Sequence, residues 1–249
     1  VLSAAGANTL NQAIGHRRDA RMRRTHERPI PVGSITPRIA WSVGIAESVA
    51  GVLILLLFAG VAPALVSATI ILTYLAWYTP LKPVTSWSTL VGAIPGALPP
   101  LIGWTAAQGG SFATLLSAGG WALVAIVFVW QMPHFLAIAW LYRDDYEQGG
   151  YRVLPVADRG GVRTGVEAVL WAALLIPVSL APALWTGNVV GPVAVLIAVL
   201  AGLLFLHKAV GFLRERTDAR AKKLFFASII YLPVVLVALV ADALVHALL

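Results

Sequence analysis

The 18 Lys and Arg residues of this chain are confined to four short segments, and the long apolar stretches between those segments hold none. The segments are Arg17 to Arg38, Lys82 alone, Arg143 to Arg163, and Lys208 to Lys223. Between each segment and the next lie two hydrophobic spans joined by an uncharged turn. Basic residues resist translocation, so this spacing places all four segments on the cytoplasmic face of a multi-pass membrane protein.

A bilayer core takes about 20 apolar residues per helix. Seven segments approach that length: Ile39 to Ala59, Pro63 to Tyr78, Thr89 to Ala107, Gly120 to Leu141, Thr164 to Trp185, Val190 to Ala209 and Leu224 to Ala247. Val1 to Ile14 reads as the second half of an eighth, an expectation that a native span and a half precedes this chain. The expected fold class is all-α, a polytopic transmembrane helical bundle forming a single domain over residues 1–249. Composition agrees, with 59% hydrophobic and 12% charged residues and a mean hydropathy of +0.84, far from the balance of a soluble domain. The formal charge of +7 sits at membrane edges, where lipid headgroups or an anionic substrate account for it, so nucleic acid is set aside as a partner. Without cysteine there is no disulfide framework, thiolate nucleophile or Cys metal site.

The turns expected on the outer face, Gly60 to Ala62, Gln108 to Ser117 and Gly187 to Asn188, carry no basic residue, which assigns chemistry to the inner face. Pro95, Pro99 and Pro100 share one span with Gly92, Gly96 and Gly103, a density that breaks regular helix and lets backbones approach.

Two inner segments carry the polar groups that chemistry needs. In the first, Asn11, Gly15 and Asp19 are four residues apart and form one stripe of a helix. An amide oxygen and a carboxylate on one stripe can share Mg2+, which takes few protein ligands when substrate phosphates supply others. Arg21, Arg24 and Arg28 could grip those phosphates, although a polybasic membrane anchor reads the same way. The second is Tyr142-Arg143-Asp144-Asp145-Tyr146. Adjacent Asp144 and Asp145 point about 100° apart on a helix, so a single metal takes one directly. Together the segments read as a two-sided clamp for diphosphate and magnesium.

In order, Asn11-Gln12, Asp19, Met22-Arg23-Arg24-Thr25 and Arg28-Pro29-Ile30-Pro31 resemble the entry motif of protohaem IX farnesyltransferases, or haem O synthases, within the UbiA-like intramembrane prenyltransferases. Tyr78-Thr79-Pro80-Leu81-Lys82, Pro99-Pro100-Leu101-Ile102-Gly103-Trp104, Trp130-Gln131-Met132-Pro133-His134-Phe135, Asp145-Tyr146 with Gly149-Gly150, Leu154-Pro155-Val156, and Leu224 to Leu232 agree in the same order. The Pro-Pro-x-x-Gly-Trp and Trp-Gln-x-Pro-His-Phe blocks separate this branch from quinone prenyltransferases.

The resemblance implies farnesyl transfer from farnesyl diphosphate to the vinyl group of haem B, giving haem O, with Mg2+ assisting departure of diphosphate. It implies Asn11 and Asp19 on one metal side and Asp145, with Asp144, on the other. Lys82, Arg24 and Arg28, by charge and location, would neutralise the leaving group, and Tyr146 would contact it. It implies an inner plasma membrane, or the mitochondrial inner membrane in a eukaryote, with membrane lipid around the chain and haem A synthase or oxidase assembly proteins as partners. One position departs from the pattern. Relatives carry an acid four residues after the Asn, and here that position is Gly15, which leaves Asp19 and the second segment to hold the metal. A quinone-type acceptor and a non-catalytic haem-binding assembly protein are the competing readings.

His134 could bond a haem propionate, ligate iron, shuttle a proton or simply join two helices. Glu47 and Glu167 read as structural pairs within the membrane. Boundary aromatics such as Trp77, Trp87 and Tyr142 read as interfacial anchors, with Tyr146 and Tyr151 the exceptions, since both sit in the acidic loop where a phenol could contact diphosphate.

Overall fold

The computed structural model describes residues 1–186 and 190–248. The expected turn at Gly187 to Asn188 lies outside the described residues. In chain order the helices are α1 (Leu2–Asp19), α2 (Pro37–Phe58), α3 (Val61–Leu81), α4 (Ser88–Ala97), α5 (Pro99–Ala107), α6 (Ala118–Leu141), α7 (Arg143–Gln148), α8 (Leu154–Ala157), α9 (Val162–Val178), α10 (Ala181–Trp185), α11 (Pro192–Glu215) and α12 (Asp218–Leu248). Among the described residues there is no β-strand. Seven segments are long and apolar enough to cross a membrane: α2, α3, α4 with α5, α6, α9 with α10, α11 and α12. The fold is all-α and polytopic, and the chain is an integral membrane protein.

The helices cluster as two compact units. One comprises Val1–Leu116 with Tyr142–Ala157, the other Ser117–Leu141 with Asp158–Leu249.

In the first unit α1 packs along α2. Small residues make this possible, because a Cβ on Gly44 would strike Leu10 and one on Gly51 would strike the main chain of Ser3. Helix α2 begins where Thr36 Oγ1 accepts from the Ile39 N–H at 3.3 Å and Pro37 pre-sets the first turn. Its turn into α3 uses Gly60 at φ 102° against Gly110 at φ 69°. The two backbones touch there, with Ala62 N–H donating to Gly110 O at 2.9 Å, which only residues lacking Cβ permit. Gly60 thus caps α3, so the helix starts at Val61, two residues before the Pro63 start expected from sequence. One turn of α3, Tyr74–Tyr78, is wound as π-helix. The proline-rich span breaks between α4 and α5 at Leu98, before Pro99 and Pro100.

In the second unit α9 starts at Gly161 with φ 70°, and Asp158 Oδ2 accepts from Thr164 N–H at 2.7 Å and Thr164 Oγ1 at 2.8 Å. Helices α11 and α12 carry the basic segment Lys208 to Lys223, which sequence reads as a loop. It is helical except for a turn at Arg216 and Thr217, with Arg216 in the left-handed region at φ 47°. Long basic side chains can extend from a helix end past the apolar core, so charge does not end the helix where the span ends.

Candidate functional site

Helix α1 carries the stripe of Asn11, Gly15 and Asp19 down to its last residue. The chain then turns back through residues 20–36, which bring Thr25 and Arg28 onto the helix end. Asp19 is buried, 5% exposed, and two residues from this turn fix it. Thr25 Oγ1 donates to Asp19 O at 2.8 Å, and Arg28 donates to Asp19 Oδ2 at 2.7 Å. A buried carboxylate is tenable only with such a cation.

Helix α7 approaches the same turn. Asp145 Oδ2 accepts the main-chain N–H of Arg24 at 3.2 Å, and the Arg24 guanidinium reaches Tyr146 Oη at 3.4 Å. That guanidinium also lies 5.0 Å over the Tyr142 ring and 5.6 Å over the Tyr146 ring. Arg18 secures the loop after α7 through Gly149 O at 3.3 Å and Gly150 O at 3.2 Å.

Lys82 enters from the end of α3. Its Nζ donates to Asn11 Oδ1 at 3.3 Å and lies 4.2 Å over the Tyr78 ring and 5.8 Å over that of Tyr74. Thr79 Oγ1 lies between Tyr74 O at 2.8 Å and Asn11 Oδ1 at 3.1 Å. The Lys82 carbonyl accepts Arg152 N–H at 2.9 Å, tying the end of α3 to the segment after α7. Burial pushes the Lys82 ammonium down to about 8, opposed by the Asp19 carboxylate and reinforced by Arg28 and Arg24.

The first unit therefore brings together three hydrogen-bonded sets, Asn11 with Thr79 and Lys82, Asp19 with Arg28, and Asp145 with Arg24 and Tyr146, and the Lys82 ammonium feels the charges of Asp19, Arg28 and Arg24. Asp144 lies one residue from Asp145 in the first turn of α7, with its side chain exposed. Sequence reading passed over Thr79, Thr25, Arg18, Tyr74 and Tyr78 as participants. Tyr78 had one usable signal, its spacing of four residues from Lys82 on a helix. Among the described residues no three His, Asp or Glu side chains form a metal-binding group. A divalent cation here would thus be held by Asp19 and Asp145, whose Oδ2 atoms have protein donors and whose Oδ1 atoms do not. That hard, sparse donor set suits Mg2+ shared with phosphate oxygens. Asn11, expected beside them, has its amide oxygen 3.3 Å from Lys82 Nζ and 3.1 Å from Thr79 Oγ1.

His134 belongs to the second unit. Its imidazole stacks between Trp130, 4.9 Å away between centroids, and Phe225 at 5.1 Å. Trp130 Nε1 donates to Ser228 O at 2.8 Å, and His134 Nδ1 lies 2.7 Å from Ser228 Oγ. The Ser228 hydroxyl also contacts Phe225 O at 2.5 Å, and a carbonyl only accepts. The single hydroxyl proton is therefore engaged there, so Nδ1 of His134 is the donor to Ser228 and Nε2 carries the lone pair.

Three sets of relatives bear on this arrangement. The profile of the UbiA prenyltransferase family matches residues 1–230. Proteins named protoheme IX farnesyltransferase are similar over nearly the whole chain. That of Opitutus terrae is 43% identical over 97% of this chain and 80% of its own length. That of Salinibacter ruber is 43% identical over 97% and 83%, and that of Solibacter usitatus 42% over 94% and 78%. Among solved structures, a digeranylgeranylglyceryl phosphate synthase superposes with a TM-score of 0.74 at 17% identity, covering 97% of this chain and 82% of that one. A UbiA homologue from Aeropyrum pernix K1 superposes with a TM-score of 0.68 at 19% identity, covering 96% and 86%.

Proposed function

This chain belongs to the UbiA prenyltransferase family, and we propose that it transfers the farnesyl group of farnesyl diphosphate to a vinyl group of haem B, giving haem O. The acceptor is that named for relatives at about 40% identity. The single observation that carries the donor half is the charge balance of the site in the first unit. Arg24, Arg28 and Lys82 stand with two carboxylates, Asp19 and Asp145. A diphosphate satisfies the excess of donors.

In the reaction the C1–oxygen bond of farnesyl diphosphate breaks, and a new carbon–carbon bond forms from the vinyl terminus to C1. Water adds to the vinyl carbon left electron-deficient and loses a proton, which gives the hydroxyethylfarnesyl side chain. Asp19 and Asp145 would hold Mg2+, which when bound supplies Lewis-acid stabilisation of the departing diphosphate. Lys82, oriented by Asn11 and the Tyr78 ring, stabilises the same oxygens, as do Arg24 and Arg28. Tyr146, already bonded to Arg24, orients that guanidinium. Asp144 is a further acid at the edge of the cluster. His134, with its lone pair on Nε2, accepts a proton or an iron rather than donating to a propionate. The site is assigned to the cytoplasmic face of an inner membrane, following the basic segments.

The test is a membrane assay with haem B, farnesyl diphosphate and Mg2+, followed by mass analysis of extracted haems. Haem O should appear, and should be lost in Asp19→Asn and Asp145→Asn. A prenylated quinone precursor in place of farnesylated haem, or no transfer at all, would overturn the reading.

A further inference from the structure

Gly15 stands one helical turn before Asp19, and its missing side chain leaves a notch. A Cβ there would lie 3.4 Å from Tyr151 Oη and 3.8 Å from Asp19 Oδ1, so a phenol and a carboxylate oxygen converge on one point. Tyr151 is 8% exposed, unlike an interfacial anchor, which offers its ring edge and hydroxyl to headgroups. Its ring is held from several sides. The Arg18 guanidinium lies 5.8 Å from the ring centroid, and Tyr146 meets it edge-on at 6.1 Å. The Tyr151 main-chain N–H donates to Tyr146 O at 2.8 Å. Gly149 leaves room for it, since a Cβ there would approach Tyr151 Cδ2 to 3.2 Å.

The hydroxyl of this fixed side chain makes no hydrogen bond among the described residues, and it is not among the sealed polar atoms, so it opens to the notch while the ring is buried. A phenol O–H is a donor, and a diphosphate oxygen is the acceptor that the substrate of this site would bring. Resting on the diphosphate reading above, we propose that Tyr151 is a further substrate-binding residue, its hydroxyl donating to a diphosphate oxygen received in the notch at Gly15.

The test measures binding of farnesyl diphosphate, with and without Mg2+, to detergent-solubilised full chain by calorimetry. Three variants are compared with wild type: Tyr151→Phe, Gly15→Ala and the double variant. Tyr151→Phe keeps the ring and its contacts with Arg18 and Tyr146 and removes only the donor. It should weaken binding by about 10-fold or more, as expected for a hydrogen bond to a charged group, while haem B binding and the unliganded melting temperature stay at wild-type values. Gly15→Ala fills the notch and should weaken binding similarly. Because both changes act at one point, the double variant should lose less than the product of the two losses. Wild-type protein that binds, with Tyr151→Phe binding equally well, overturns the Tyr151 assignment alone. Wild-type protein that binds no farnesyl diphosphate overturns it together with the reading on which it rests.

Discussion

Arg28 holds Asp19 at 2.7 Å, and the pair is unequal: the Asp19 side chain is 7% exposed and that of Arg28 37%. The carboxylate is committed to the interior while its cation reaches outward, and a turn of eight residues, 20–27, joins them. Removing Arg28 strands a buried charge, whereas a bound cation could replace it. Arg28→Ala should therefore lower stability by about 1–3 kcal/mol. Adding Mg2+ with farnesyl diphosphate should recover more of that loss than it adds to wild type. Thermal unfolding with and without the ligands checks this. An unchanged melting temperature in the unliganded variant would mean that the pair carries no weight.

Lys82 gives a pH dependence with a definite sign. Its amine, lowered by burial to about 8 from an ordinary 10.5, loses charge as pH rises through 8. Charged Lys82 is the form that grips diphosphate, so affinity for farnesyl diphosphate should fall between about pH 7 and 9.5. Lys82→Ala should bind weakly throughout and lack that step. Stability moves the other way. Between about 8 and 10.5 the unfolded chain holds more protons than the folded one, so the folded state gains as pH rises across that window. Chemical denaturation at several pH values reads the second effect independently of substrate.

Asp144 and Asp145 are adjacent in sequence and unequal in place. Asp145 joins α7 to the Arg24 turn, while Asp144 is exposed. Asp145→Asn should lower kcat/KM by about 100-fold or more, the scale of losing one electrostatic stabiliser. Asp144→Asn should change it by less than about 10-fold. Steady-state kinetics on the two variants decides it, and equal losses would place Asp144 at the metal as well.

The hydrogen-bond order around His134 can be read spectroscopically. His134→Ala should alter the visible spectrum of bound haem B if Nε2 meets iron, and leave it unchanged if the role is proton transfer. Ser228→Ala removes the partner that fixes Nδ1 as donor, so it should give a mixture of tautomers in nitrogen-15 NMR of the ring, where wild type gives one.

The spans were legible because apolar length and the spacing of basic residues report directly on the bilayer. Helix α1 was legible down to Asp19, since Asn11, Gly15 and Asp19 share a period. What escaped was pairing across sequence distance. Nothing local says that Arg24 meets Asp145, or that Ser228 meets His134, and both pairings arise from packing of separate helices. Tyr151 was legible in part. Its place in the acidic loop marks a phenol that could contact diphosphate, while its burial against Arg18 and Tyr146 and its approach to Gly15 come from packing that no local pattern reports. The charge of the segment Lys208 to Lys223 suggests a loop, whereas α11 and α12 occupy it except at Arg216 and Thr217.

Position 15 is where this chain departs from the pattern it otherwise follows, and the geometry there predicts what restoring an acid would do. In Gly15→Glu the new side chain starts 3.8 Å from Asp19 Oδ1 and 3.4 Å from Tyr151 Oη. Without a metal, a second carboxylate beside buried Asp19 is a like-charge contact that Arg28 alone must offset, so the variant should melt below wild type. With Mg2+ the same two carboxylates become neighbouring ligands, and the loss should reverse as metal is added. The melting temperature of Gly15→Glu should therefore climb with Mg2+ concentration even without farnesyl diphosphate, whereas wild type, with fewer acids at the site, should respond weakly until the diphosphate is present. A variant whose stability ignores Mg2+ would show that position 15 does not face the metal, and that Asp19 and Asp145 bind it from another side.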